Sequence, residues 1–356
     1  MYARASSPFL VVLLLAGLSP TPLDAGDGLT LSASPPSRRG QPPTSDGRRA
    51  IDARVGESVE LTLRWNGRPL PSGSHARWLE IVPRPEHVEL PPPSPPYRTY
   101  TNAQLGGPRH GRWIGQDVIE GDVVPLSIGT SDGTRWRWSP SARELGTRWL
   151  AAEVTLPDGR VVKSAAEIGR GGVTPRALRV SVRADDSFLG WLGSYFRVPY
   201  VFGSTPAQSE SYRGIDCADV MVAAQRRVSG RALAYTSVQG LERHAEPVSE
   251  PFELERDGTL HDGPLEFART AIVLRFGHDV RPGDLLAIDY ADDPDGQLPR
   301  PWDHVGAVLE DRGPDGRADG VLGPDDLVRH MGLRGLVDEP LARHGHVRLR
   351  IWRFRN

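Results

Sequence analysis

Between Glu57 and Val182 polar and apolar side chains alternate through short stretches set apart by turn-forming residues, and that period of two commits this part of the chain to β-structure. Glu57-Ser58-Val59-Glu60-Leu61-Thr62-Leu63-Arg64-Trp65 is the clearest stretch. Residues 77–82, 134–138, 147–156 and 177–182 follow the same rule. Pro157-Asp158-Gly159-Arg160 reads as a hairpin turn into Val161-Val162. Short strands with turn signals predict a β-sandwich of roughly Ig-like size. The proline run Leu90–Pro96 is excluded from a central strand, because proline removes ladder donors. Six of the nine tryptophans lie in this part; they read first as core and cross-strand pairs, with a carbohydrate-stacking platform as the alternative.

Near Asp185-Asp186 the period changes. Ser187 to Phe196 has helical spacing and opens on a capping serine. A second helix is predicted from Cys217 to about Arg227. After a long irregular region, Arg281-Pro282-Gly283-Asp284 turns into a strand at Leu285–Ile288, and further strands are predicted at Val305–Leu309, Leu327–His330 and Val347–Trp352. Helices first and an antiparallel sheet afterwards make an α+β domain.

Ahead of both parts, Arg4 and the apolar run Phe9–Leu18 have the form of a signal peptide, with Leu23-Asp24-Ala25 as its cleavage site. That run is shorter than the roughly 20 residues a membrane span needs. The expected organisation is a signal peptide at 1–25, a disordered Pro-, Ser- and Arg-rich linker at 26–48, an all-β sandwich domain at 49–185, and an α+β domain at 186–356. Export to the periplasm or the cell exterior follows as an expectation, with no membrane span once the leader is removed. A net charge of −2 argues against a nucleic-acid partner bound through bulk charge.

The chain holds one cysteine, so no disulfide forms within it. Cys217 follows Gly214-Ile215-Asp216 and precedes apolar residues at helical spacing, which puts its sulfur at the first turn of a helix. Unpaired N–H groups and the positive dipole end favour a thiolate there. A nucleophilic cysteine needs a base and a group that orients the base. His304 heads an apolar strand, beside Gly306, and is the candidate base. His330 ends the next strand; on an adjacent strand it would lie beside His304 and hold its tautomer. The remaining histidines lack comparable context.

Pro199-Tyr200-Val201-Phe202-Gly203, Gly214-Ile215-Asp216-Cys217, Arg281-Pro282-Gly283-Asp284-Leu285-Leu286, His304-Val305-Gly306 and Leu327-Val328-Arg329-His330, in that order, resemble the NlpC/P60 family of cysteine peptidases. The resemblance covers about residues 186–356. It implies a papain-like core, nucleophile Cys217, base His304, orienting residue His330, and Tyr200 lining the oxyanion site with the Cys217 backbone N–H. It also implies a hydrolase acting on peptidoglycan stem peptides, without a cofactor. The chain departs from the family where a serine and a glycine usually follow the cysteine: here stand Ala218 and Asp219. Ala218 has no hydroxyl to bind a substrate amino terminus, and Asp219 brings a charge that would raise the thiol pKa if close. Asp216, Ala218 and Asp219 are thus the expected substrate-side positions. Alternatives are an amidase or acyltransferase on another amide or ester, and a catalytically inactive cell-envelope binding protein.

Asp311, Asp315 and Asp319 fall at spacings that partly match a calcium loop, although position twelve is Leu322. A polar hairpin tip is the simpler reading. Asp289, Asp292, Asp293 and Asp295 make a second acidic loop ahead of His304, expected to be solvated surface or a cleft rim.

Overall fold

The computed structural model describes residues 28–37, 50–85, 119–125, 134–165, 177–204, 206–262, 270–290, 302–332 and 334–355. The expected leader, the proline run at 90–96 and Asp292, Asp293 and Asp295 lie outside them. The chain is mostly β-sheet with few helices, in two β-rich parts. The first contains β1 (Leu29–Ser37), β2 (Ala50–Arg54), β3 (Ser58–Trp65), β4 (His75–Pro85), β5 (Ile119–Pro125), β6 (Arg135–Trp138), β7 (Gly146–Thr155), β8 (Val161–Lys163) and β9 (Leu178–Arg183). The second opens with α1 (Phe188–Gly193), α2 (Pro206–Glu210) and α3 (Cys217–Ser229). It continues through β10 (Ala245–Pro247), β11 (Phe252–Leu254), β12 (Leu260–Asp262), β13 (Leu285–Tyr290), β14 (His304–Glu310), β15 (Leu327–Gly332), β16 (Gly335–Pro340) and β17 (Val347–Phe354).

In the first part, a sheet of order β1-β3-β6 and one of order β2-β9-β7-β4-β5, with β8 on β7, share one apolar core. Leu31, Leu61, Leu63, Trp78, Leu150 and Val180 meet there, as expected of two sheets face to face. Trp78, Trp138 and Trp149 are buried, so these three serve packing and not an exposed stacking platform. The expected linker at 26–48 needs correction. Leu29 to Ser34 pair antiparallel with Trp65 to Glu60, and Leu29, Leu31 and Ala33 are buried. Their period-two pattern lies just ahead of Pro35 and Pro36, tolerated because β1 is an edge strand.

The second part is built on an antiparallel sheet of order β12-β11-β17-β13-β14-β15-β16, with β10 on β17. Its strands alternate between two cores. Leu286, Ile288, Val308, Val328 and Ile351 face one. Leu285, Ala287, Val305, Ala307 and Trp352 face the other, which also holds Leu192 of α1 and Val220 to Ala224 of α3.

That second core does not stop at the helices. It includes Leu79 and Ile81 of β4 and Trp149 and Ala151 of β7. Neighbouring residues Trp78, Leu150 and Ala152 point the opposite way, into the first core. The six-stranded sheet is therefore buried on both faces at its centre, and α1 and α3 lie between two sheets. Each helix face is apolar because each has a sheet to pack on. Polar contacts secure the seam. Glu80 pairs with Arg148 at 3.2 Å and Arg197 at 2.9 Å, and Thr147 Oγ1 donates to Ser194 O at 2.8 Å. Asp52 takes Arg179 at 2.8 Å and Arg227 of α3 at 3.4 Å. Gly146 has φ +107°, and a Cβ there would lie 2.5 Å from Phe196 O. The first part is thus a wall of the second and not a tethered spacer.

Candidate active site

Asp216 fixes where α3 begins. Its Oδ1 accepts the N–H groups of Ala218 (3.1 Å) and Asp219 (2.8 Å), and its Oδ2 accepts that of Gly203 (3.1 Å). This N-cap puts Cys217 in the first helical position, as the sequence predicts. Cys217 is 8% exposed, and its sulfur accepts the backbone N–H of Val305, the residue after His304. The Cys217 sulfur thereby meets the start of β14 at Val305, one residue along the chain from His304.

Antiparallel pairing of β14 with β15 sets Gly306 opposite His330. A Cβ at Gly306 would sit 3.2 Å from His330 Cβ and 2.4 Å from Val328 Cγ1, so glycine admits the close approach. Two residues along β14, His304 Nε2 lies 2.8 Å from His330 Nδ1, and the rings meet edge to face at 89°. The His304–His330 side-by-side arrangement expected from sequence is the observed one.

The line of hydrogen bonds continues to a residue the sequence reading missed. His330 Nε2 is 2.7 Å from Glu339 Oε1. A carboxylate only accepts, so the His330 proton sits on Nε2 and leaves Nδ1 as acceptor. His304 must then donate from Nε2, which leaves its Nδ1 as an acceptor. Glu339 thus sets two tautomers in series. The signal for it was an opposite-charge pair across two strands: Arg329 and Asp338 stand opposite each other and bond at 2.7 and 2.8 Å.

His344, set aside in the sequence reading, is also here. Its ring centroid lies 4.8 Å from that of His330 and 5.9 Å from that of His304, and its Nδ1 is 3.0 Å from Tyr290 Oη. Tyr290, His344, Glu255 and His346 line a cavity of about 440 Å³ beside the three histidines. Tyr200 is bridged to Ile215, two residues before the cysteine. Burial first, then the charges of Cys217 and Asp216, hold its hydroxyl well above the usual tyrosine range, so it stays a donor.

Electrostatics correct one expectation. The helix start does not make a ready thiolate. Burial, then the Asp216 charge, push the Cys217 thiol well up, and the Val305 N–H offsets this only in part. Burial, then His330 and His344, push His304 well below the usual imidazole range. At neutral pH the resting pair is a thiol and a neutral imidazole.

The expected substrate contacts need correction too. Ala218 is 2% exposed and Asp219 is 4% exposed. Asp219 accepts Ser204 Oγ at 2.8 Å and Ser209 Oγ at 3.4 Å. Burial, then Asp216, raise the Asp219 carboxyl well above its usual range. Asp216, Ala218 and Asp219 build the helix start, with their polar atoms turned to backbone and buried hydroxyls.

Among the described residues, two sets of side chains bring possible metal-binding atoms within 4.8 Å of one another: His330, Glu339 and His344, and Glu253, Glu255 and His346. Asp311, Asp315 and Asp319 form no such set. Asp311 accepts the N–H groups of Asp319 and Gly320, Asp315 that of Arg317, and Asp319 that of Val321. These are the bonds of a tight polar loop.

Compared with protein-family models, curated proteins and solved structures, the chain matches none.

Proposed function

We propose that the protein is a cysteine hydrolase that cleaves amide bonds in cell-envelope peptides, with its second part a papain-like domain of the NlpC/P60 kind. One observation carries this reading: a hydrogen-bonded line His304–His330–Glu339 starts at the residue whose neighbour, Val305, holds the Cys217 sulfur. Nucleophile, base and orienting groups are what thiol acyl transfer requires. The signal-like leader in the sequence supports export.

In the mechanism that follows, proton transfer accompanies attack. Cys217 Sγ adds to the amide carbonyl as His304 Nδ1 takes the thiol proton. The imidazolium is steadied through His330 towards Glu339. The Cys217 backbone N–H, in the first turn and without an intrahelical partner, and the Tyr200 hydroxyl are the oxyanion donors. His304 then protonates the leaving amine, and water, deprotonated by the same histidine, hydrolyses the thioester.

The deep burial of the sulfur favours a second reading, an inactive protein that binds envelope peptides. Digestion of purified stem peptides, followed by mass spectrometry, separates the two. The hydrolase reading expects one new amine per cut with the wild type and none with Cys217→Ala. Peptide retained uncut by both proteins overturns it in favour of binding.

A further inference from the structure

We propose that His330, Glu339 and His344 form a site for a zinc-type divalent cation, and that its occupation switches the His304 base off. The binding half of this inference stands on geometry alone; the switching half rests on the hydrolase reading.

Two imidazoles and one carboxylate are a common zinc ligand set. The three donor atoms already lie within 4.8 Å of one another. Bonds of about 2.0–2.1 Å to a tetrahedral ion set donors roughly 3.4 Å apart, so the widest separation closes by up to about 1.4 Å and the 2.7 Å His330–Glu339 contact opens by about 0.7 Å. Side-chain rotation covers both changes.

His344 supplies an independent pointer. Its Nε2 is buried and has no hydrogen-bond partner. Its Nδ1 is held by Tyr290 Oη at 3.0 Å. With the proton on Nδ1 and donated to that oxygen, the Nε2 lone pair is left for an ion. Metal-bound histidines are oriented in this way, by a partner on the second nitrogen. A lone pair kept dry and unpaired costs stability unless something fills it. Of the three ligands, His344 also lines the neighbouring cavity, together with Tyr290.

The consequence follows from proton counting. Without metal, His330 carries its proton on Nε2 for Glu339, and His304 carries its own on Nε2. An ion on His330 Nε2 needs that lone pair, so the His330 proton moves to Nδ1. His330 then donates to His304 Nε2, and the His304 proton is carried on Nδ1, the nitrogen that the hydrolase reading uses as the base. Each ring still holds one proton, yet the base has lost its acceptor.

The test is titration of the full chain with Zn²⁺ by calorimetry and with Co²⁺ by absorption. Zinc also binds thiols, so the decisive protein is Cys217→Ser. We expect one ion per chain in wild type and in Cys217→Ser, and Co²⁺ bands without a sulfur charge-transfer band. His344→Ala in the Cys217→Ser background should weaken binding at least tenfold, and Glu339→Ala provides a second variant if the first misfolds. His346→Ala, in the other His and Glu set, should leave binding in place. Loss of binding in Cys217→Ser, loss in His346→Ala, or no effect of either His344→Ala or Glu339→Ala overturns the site. With an active enzyme, zinc should inhibit reversibly, and His344→Ala should weaken that inhibition at least tenfold. Zinc bound to an inactive wild type sinks the hydrolase reading and leaves the site standing. Inhibition that His344→Ala does not shift sinks the switch and leaves the hydrolase.

Discussion

His304 and His330 meet edge to face, with Nε2 of one 2.8 Å from Nδ1 of the other, because Gly306 leaves the space that a Cβ would take from Val328 and His330. Gly306→Ala is therefore expected to spread β14 from β15, with a stability loss of about 1–3 kcal/mol from overpacking. Urea denaturation measures the loss, and turnover should fall with it because the histidines are drawn apart.

Glu339 reaches His304 through His330, and under the hydrolase reading it sets the base. Glu339→Gln keeps the shape but lets the side chain donate as well as accept, so the tautomers are no longer set. Turnover should fall roughly 10–100-fold, the range typical of outer partners that orient a catalytic ligand. The melting temperature should stay near that of the wild type. Activity equal to wild type would remove Glu339 from the line.

Alkylation of Cys217 by iodoacetamide reads the state of the thiol. Burial and the Asp216 charge hold the thiol up, so the apparent pKa should lie above the ordinary value of about 8.5. Asp219 adds to that push, and Asp219→Asn should move the alkylation profile down. A wild-type midpoint below the ordinary value means a preformed thiolate and refutes the neutral resting pair.

The seam between the two parts offers a structural test. Gly146 has φ +107° and its Cβ position faces Phe196 O. Gly146→Ala should cost about 1–3 kcal/mol in backbone strain and contact. Because the helix layer is packed between both sheets, calorimetry should show both parts losing stability together.

Asp326 gives a pH dependence with an unusual sign. It is 1% exposed, and burial raises its carboxyl from 3.8 to about 6, against N–H groups from Arg312 and Gly323. Its stabilising share is present below pH 3.8 and is lost as pH rises through about 6. Relative to Asp326→Asn, the wild type should gain up to roughly 3 kcal/mol between pH 7 and pH 4, at about 1.4 kcal/mol per unit. Denaturant unfolding at both values checks it; a difference that shrinks on acidification refutes the burial argument.

Much of the second part was legible because its signals are local. Asp216 before an apolar run announces an N-cap, and Val305-Gly306-Ala307-Val308 announces a strand beside a tight neighbour. The histidine pairing was legible too, since adjacent strands bring their ends together. Glu339 and His344 were not, because β16 and the turn after it take their meaning from register with β15. The thiol state was misread for a related reason. A helix start favours a thiolate only where water reaches it, and no local pattern reveals that β4 and β7 lie behind the helices. The linker was misread because Pro35 and Pro36 outweighed Leu29, Leu31 and Ala33.

The burial of Cys217 also bears on how the protein ages. Peroxides attack exposed thiolates, and sulfenic acid forms in proportion to thiolate character and access. A cysteine that is 8% exposed and held protonated by burial offers little of either. The same packing that keeps the Cys217 sulfur protonated shields it from oxidation, so a chain with a single thiol and no second one to rescue it keeps that thiol reduced.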